Sequence, residues 1–471
     1  MGNSFYWYDL ETSGVDPKWD RIVQFAGLRT DENLEVVGDE FCTYVRLPDD
    51  VLPNPDSVLV TGITPQLTHA KGMAETQALV KINELFSTPG TCVAGYNSLR
   101  FDDEFMRYGL YRNLLDPYAR EWQQGNSRWD LIDLVRATGG LRRDGIEWPV
   151  DENGLPVYRL EVLTAANGIE HGHAHDAMSD VRATVALARL IKDKQPKLFD
   201  YYFQLRHKKK VRELLEPYGS RMCVHVSGMY PRARSGVAPI LPMTRHPTNG
   251  NSVIVVDLAA DVEPILEGSA QEIAAELFKA GAERRPPIKE LRINRCPFVA
   301  PVEVLNEENQ ARLEIDLKLA KERARRLQQP GVAQKLVQVY QQGRPAPAVD
   351  VDAALYDGFL QDEDRSRCAH LHELLRTGRW QALDYKDKRL HTLAQRMKAR
   401  SFTGLLDEGE LAPWREFVAG KLSGQGDWLS LRAYDERLEA LAVSGSVDGD
   451  KLELLAQLAE HGQDLRLRYH L

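Results

Sequence analysis

Two carboxylates, Asp9 and Glu11, stand two residues apart at the end of an apolar, aromatic run, Phe5–Leu10. If that run is a buried strand, side chains at i and i+2 share a face, so both carboxylates project together while Leu10 turns away. Like charges set side by side in a protein are costly without a compensating cation. Taken alone, the pair fits a solvated strand end leading into the turn Thr12-Ser13-Gly14. A second acidic pair, Asp102-Asp103, closes the stretch Gly95-Tyr96-Asn97-Ser98-Leu99-Arg100-Phe101, directly after an expected strand at Thr91–Tyr96. Open α/β sheets build sites just past the C-terminal ends of their strands, although Asp102 alone reads as a helix N-cap. The third group is His171-Gly172-His173-Ala174-His175-Asp176-Ala177-Met178-Ser179-Asp180. There a histidine at a helix entrance and a carboxylate in the second turn can converge on one point.

The order of these pieces carries more than any one of them. D-x-E-T-x-G on a first strand, N-x-x-x-F-D after a later one and H-x-A-x-x-D opening a late helix resemble the DEDDh exonucleases of the ribonuclease H-like fold. Thr61-Gly62-Ile63-Thr64 and Arg159-Leu160-Glu161-Val162-Leu163 are similar to that family as well. The resemblance implies one cluster of Asp9, Glu11, Asp102 and Asp180, hard oxygen ligands for two Mg²⁺ ions, with Mn²⁺ able to substitute. It implies that Asp9 bridges the ions, that Glu11 and Asp180 hold the first, and that Asp102 serves the second as a catalytic residue. His175 is implied as the general base on the attacking water. A binuclear zinc site at His171, His173 and His175 is the rival reading, but H-x-H-x-D lacks its last histidine, because Ala177 follows Asp176.

Three further segments narrow the resemblance. Phe199-Asp200-Tyr201, Val224-His225-Val226-Ser227-Gly228-Met229 and Ala354-Leu355-Tyr356-Asp357-Gly358-Phe359, with Asn126-Ser127-Arg128-Trp129-Asp130, resemble the bacterial exodeoxyribonuclease I family. That family implies an α/β nuclease domain with a mixed five-stranded sheet over 1–198, an SH3-like β-containing domain over 199–345 and an α-helical domain over 352–471. It implies 3′→5′ processive degradation of single-stranded DNA to 5′ mononucleotides, in DNA repair and recombination. Arg107, Tyr111, Tyr118, Trp122, Arg136 and Arg159 interleave aromatics with guanidiniums, a mixture that stacks any base and neutralises phosphates. Leu10, Glu11 and Thr12 are expected at the terminal nucleotide. Arg142, Tyr201 and Arg221 match a pocket for the acidic C-terminal tail of single-stranded DNA-binding protein. Two other readings remain: an RNA-directed exoribonuclease of the same superfamily, or a strand-binding module with an inactive site.

Elements must hold these residues in place. Short β-rich runs at Phe5–Leu10, Ile22–Leu28, Val36–Val45 and Thr91–Tyr96 alternate with helical patterns near Ala74–Phe86, Asp102–Leu114 and Asp176–Asp193, the last stopped by Pro196. Interleaving of this kind predicts an α/β domain with a partly parallel sheet. Residues 202–234 then hold eight Lys/Arg against two Glu, which can extend a phosphate track even though the chain carries a net −9. Strands are expected at Met222–Met229 and Asn251–Leu258, and an amphipathic helix near Asn309–Leu327. Gln342-Gly343-Arg344-Pro345-Ala346-Pro347 reads as a linker, followed by helical patterns at Cys368–Leu375 and Lys451–His461. The five cysteines include no C-x-x-C pair, which excludes a disulfide framework and fits a reducing cytoplasm. No apolar run approaches the roughly 18 residues of a membrane helix, and the first residues lack a basic signal segment. A monomer is expected, since three domains can enclose a strand without a second subunit.

Overall fold

The computed structural model describes residues 3–170, 176–279, 281, 285–341, 347–444, 447 and 449–471. Its first sheet is built from β1 (Ser4–Thr12), β2 (Ile22–Thr30), β3 (Val36–Tyr44), β4 (Thr91–Gly95) and β5 (Ser127–Asp130), in the order β3-β2-β1-β4-β5. β1 pairs antiparallel with β2 and parallel with β4, so the sheet is mixed and β1 is central. Four helices flank it: α1 (Glu75–Phe86), α2 (Asp102–Arg112), α3 (Leu131–Leu141) and α4 (Ala177–Lys194). Alternation along β1 explains the layering. Phe5 and Trp7 pack with Trp129, Val181 and Val185 on one side, while Tyr6, Tyr8 and Leu10 pack with Leu79, Phe86 and Phe105 on the other. Pro196 does more than stop α4: it is the first residue of the next helix, Pro196–Gln204, where its missing N–H costs nothing.

The second sheet is entirely antiparallel: β6 (Cys223–Val226), β7 (Val237–Arg245), β8 (Ser252–Asp257), β9 (Ile288–Arg292) and β10 (Phe298–Pro301), ordered β10-β6-β7-β8-β9. Sequence reading finds β6 and β8 but not β7, β9 or β10: Pro239, Pro242 and Pro301 interrupt the signal of β7 and β10, and the charged Lys289, Glu290 and Arg292 mask the short β9. The single amphipathic helix expected near Asn309–Leu327 is instead two, Glu307–Arg312 and Leu317–Leu327. Glu314 adopts φ 52° between them, and the Asp316 carboxylate caps the second through the backbone N–H groups of Lys318 and Leu319. From Val351 onward the elements among the described residues are all helices, and none of the described helices is long and apolar enough to cross a membrane.

The helical region is fastened to the first sheet's domain in two places. Leu52 and Val58 join a core with Val418, Leu422 and Tyr434, and Tyr108, Tyr111 and Leu114 join another with Leu355, Leu371 and Leu390. Between them runs a buried ion network. Arg400 donates to both oxygens of Asp50 (3.0 and 2.7 Å) and of Asp352 (3.2 and 2.6 Å), and Lys421 donates to Asp50 at 3.0 Å. Burial alone would raise the Asp50 and Asp352 carboxyls, but Arg400, with Lys421 at Asp50 and Arg396 at Asp352, holds both below the usual range. Asp50→Asn should therefore lower stability at neutral pH by about 3 kcal/mol, since it strands Lys421 and half of Arg400 in the interior. A depressed carboxylate adds stability that is complete above its unfolded value of about 4 and is lost as pH falls through the folded value. Urea midpoints read by circular dichroism between about pH 4 and 2 should fall more steeply for the parent than for Asp50→Asn; equal slopes would show that this network does not govern acid unfolding.

Candidate active site

Asp9 and Glu11 emerge from β1 where the sheet opens. The parallel ladder to β4 ends at the pair Trp7–Ala94, whereas pairing with β2 continues through Asp9–Ala26 and Glu11–Gln24. The two acids thus keep a rigid strand on one side and face a gap on the other. The turn after β1 is fixed by its glycine: a Cβ on Gly14 would meet the Asp20 carboxylate at 2.3–2.4 Å. Asp20 needs that space, because it accepts from the Asp16 N–H (2.9 Å) and the Ser13 hydroxyl (3.3 Å), closing the loop from Ser13 to Asp20.

The loop that carries Asp102 is organised by a residue that sequence reasoning quoted but gave no role, Asp130 at the end of β5. Its carboxylate accepts from the backbone N–H groups of Asn97 (2.8 Å), Leu99 (3.1 Å) and Ile132 (3.0 Å), so it shapes the 97–101 turn and caps α3 at once. Asn97 sits at φ 63°, a conformation its short polar side chain tolerates. Asp102 is then the first residue of α2 and not its N-cap: Phe101 holds the cap position and makes no side-chain cap bond. That leaves the Asp102 carboxylate out of the cap position. α4 starts beneath Asp176, whose side chain accepts from the Ser179 N–H at 3.3 Å, and this places Asp180 in the first turn and not the second.

These elements bring Asp9, Glu11 and Asp180 together, with one carboxylate oxygen from each lying within 4.8 Å of the others. Burial, with the charges of Asp102, Glu11 and Asp180, pushes the Asp9 carboxyl far above its usual range. Burial with Asp180 and Asp176 pushes Glu11 up to about 8, and Asp102 is raised by burial together with Asp130, Glu11 and Asp103. Asp102 stands beside the trio as an electrostatic neighbour and completes a four-carboxylate patch. Oxygen donors of this number, drawn together at the end of one strand, suit a hard divalent cation. His175, with His171 and His173, lies outside the described residues.

The expected strand-contacting residues divide into groups. Leu10 turns into the core and the Thr12 hydroxyl donates to the Gly14 carbonyl (2.7 Å), so neither side chain is offered outward. Arg107, Tyr118 and Trp122 line a cleft of about 1110 Å³ that also draws on Lys208, Lys209 and Arg295 from the second sheet's region and on Tyr356 and Phe359 from the helical region. Trp122 is 66% exposed, and Tyr118 meets Phe359 edge-on at 5.7 Å. Tyr111 is instead core, 3% exposed, its hydroxyl donating to the Val351 carbonyl at 3.1 Å. Arg136 and Arg159 are not among the cleft's lining residues: Arg136 pairs with Asp133 at 2.7 Å, and Arg159 is exposed at the start of the helix Leu160–Ala166. Arg142, Tyr201 and Arg221 share no single pocket, yet all border one segment. Arg142 and Tyr201 donate to the Val304 and Val299 carbonyls (3.5 and 2.7 Å), and Arg221 lines a hollow of about 470 Å³ with Val302 and Glu303.

Comparison with known proteins matches the whole chain. Family models described as an exonuclease, an exonuclease I SH3-like domain and an exonuclease I C-terminal domain match residues 6–188, 206–342 and 349–465. Exodeoxyribonuclease I of Haemophilus influenzae is 41% identical over 468 residues, 98% of each chain. That of Escherichia coli is 41% identical over 471 residues, again 98% of each. The crystal structure of the Escherichia coli exonuclease I in complex with a dA16 oligonucleotide superposes with a TM-score of 0.93 at 40% identity, covering 98% of this chain and 100% of that one.

Carboxylates crowded this closely make a direct prediction. Asp9→Asn removes the most crowded of the charges, so the metal-free protein should melt about 2–4 °C higher, while Mn²⁺ binding followed by calorimetry should be lost. A variant that melts lower and still binds Mn²⁺ would show that Asp9 is an ordinary structural carboxylate.

Proposed function

This chain belongs to the exodeoxyribonuclease I family, and on that basis we propose that it removes nucleotides processively from the 3′ end of single-stranded DNA, releasing 5′ mononucleotides. It is a hydrolytic nuclease with an exonuclease domain, an SH3-like domain and a helical C-terminal domain. The observation that carries the reading is the convergence of Asp9, Glu11 and Asp180, with Asp102 beside them, at the open end of the central strand. Asp9, Glu11, Asp102 and Asp180 would hold two Mg²⁺ ions, with Mn²⁺ as a substitute. Bound there, such ions supply an activated water and charge neutralisation at the scissile phosphate.

The chain's own residues do the rest. β1 and its pairing with β2 fix the direction in which Asp9 and Glu11 present their oxygens, and Asp130 fixes the loop that brings Asp102 to them. His175, carried over from the family motif, takes the proton of the attacking water. The Glu11 and Thr12 backbone stands nearest the terminal nucleotide, with the Leu10 side chain packed behind it. The strand then runs into the cleft of Arg107, Tyr118 and Trp122, where aromatic faces stack bases without reading sequence. Lys208 and Lys209 add phosphate contacts. Because the helical region is pinned by Arg400 and two apolar cores, the cleft keeps its third wall through successive steps, which supports processivity. Arg136 and Arg159, which stand outside the cleft's lining, would contact the strand from there. The segment 299–304, ringed by Arg142, Tyr201 and Arg221, is the place we assign to the acidic tail of single-stranded DNA-binding protein. The setting is cytoplasmic DNA repair and recombination, with the enzyme acting as a monomer. The SH3-like and C-terminal family matches favour DNA over the RNA-directed reading.

With Mg²⁺, a 5′-labelled oligodeoxynucleotide should shorten from its 3′ end, and a matched RNA or a blunt duplex should be degraded far more slowly. Asp180→Ala should cut the rate by at least about 10³-fold, the scale of losing a group that acts only in the transition state, while strand binding in EDTA persists. Faster loss of the RNA would overturn the substrate assignment.

A further inference from the structure

The cleft contains its own counter-charges. Glu104 and Glu121 are the acidic residues among its lining, and each is bonded to arginines that line the same cleft. Glu121 accepts from Arg107 at 2.8 and 3.0 Å and pairs with Arg128 at 2.9 Å. Glu104 accepts from Arg107 at 3.2 Å, from Arg295 and from the Tyr356 hydroxyl. Glu104 therefore ties together one group from each of the three regions: Arg107 on α2, Arg295 after β9 and Tyr356 in the helical region. The arginines it and Glu121 hold are largely buried, 7% exposed at Arg107 and Arg128 and 24% at Arg295, and Arg292 of the same cleft, 45% exposed, is likewise paired, with Glu290 at 3.3 Å.

A planar carboxylate across two guanidinium N–H groups occupies the same donors that a phosphate would. A strand lying along this wall meets guanidiniums already spent, set among the faces of Tyr118, Trp122, Tyr356 and Phe359. Resting on the reading of this cleft as the strand's path, we propose that Glu104 and Glu121 are built-in phosphate surrogates. With Asp103 behind Arg107 and Arg128, they neutralise the inner arginines so that the strand is held by sequence-tolerant stacking and can advance, while phosphate capture is left to Lys208 and Lys209. Full-strength bidentate phosphate contacts at Arg107, Arg128 and Arg295 would have to be broken at every nucleotide removed; shared carboxylates keep each one weak.

The full-length protein in EDTA, titrated with fluorescent dT oligonucleotide over a range of salt, tests this. Glu104→Gln keeps the side chain's shape and releases about one guanidinium. It should steepen the slope of log K against log salt by about 0.7, the single-strand value per phosphate, and tighten binding about fivefold at 0.1 M salt. With Mg²⁺, its turnover at saturating strand should fall even as KM falls. Glu121→Gln should move both readouts the same way, and Tyr356→Phe, which keeps the Glu104 charge and the ring, should leave the salt slope where it is. If the Glu104→Gln protein melts like the parent yet binds no tighter, or more weakly, Glu104 is only a structural partner of its arginines and the proposal fails. If Glu104→Gln does not fold, Glu121→Gln decides on the same criterion. Should the parent itself not bind the oligonucleotide, the assignment of the cleft falls first and this inference with it.

Discussion

Four carboxylates crowded at the open end of one strand are an electrostatic debt that the rest of the first domain is arranged to hold. Asp9, Glu11 and Asp180 repel one another, and burial denies them water, so each has its proton affinity raised or raises another's. A flexible scaffold would relieve such repulsion by moving apart. Here movement is resisted. β1 stays paired with β2 through Asp9 and Glu11, Asp20 fills the space inside the following turn, and Asp130 ties three backbone N–H groups of the facing loops. A cluster held this way is the arrangement a divalent cation would relieve.

Elsewhere the protein also buries charge in matched clusters, with cations bonded to the carboxylates. Asp50 and Asp352 are held by Arg400, and Glu104 and Glu121 by Arg107, Arg128 and Arg295. These matched clusters sit where the helical region and the second sheet's region meet the nuclease domain, so the contacts that assemble the molecule are specific in register as well as apolar. A purely hydrophobic seam can slide; a guanidinium bidentate to two carboxylates from different segments cannot without stranding charge.

Much of this was legible in the sequence, for reasons that differ by element. β1, β2, β4 and α4 announce themselves because each is nearly all apolar on the face it buries. The D-x-E pair, the later aspartates and the aromatic-arginine stretch were likewise readable, since a type and a spacing suffice. What could not be read was partnership across long sequence distances. Arg107 was expected to be free for phosphate, but Glu121 and Tyr356, the latter 249 residues away, share it. Tyr111 looked like a stacking residue until the helical region covered it. The prolines in β7 and β10 hid two strands that their edges and bulges accommodate. Arg128 and Asp130 did carry a signal, since charges inside a strand as short as Ser-Arg-Trp-Asp must have partners if the strand is buried.

Asp102 and Asp103 show how finely that partnership is drawn. They are adjacent, equally buried at the start of one helix, and their proton affinities move in opposite directions. Successive helical residues diverge by about 100°, so one carboxylate faces Asp9 and Glu11 while the next faces Arg107, Arg120 and Arg128. Burial acts to raise both; the three guanidiniums reverse it for Asp103 and none reaches Asp102. The same turn thus anchors the helix with one acid and turns the other toward the carboxylates of β1. A one-residue shift in the start of α2 would exchange the two positions, placing the paired carboxylate beside Asp9 and Glu11 and the other among the arginines. The Asp130-bound loop, by fixing where that helix begins, is what keeps Asp102 beside the acids of β1.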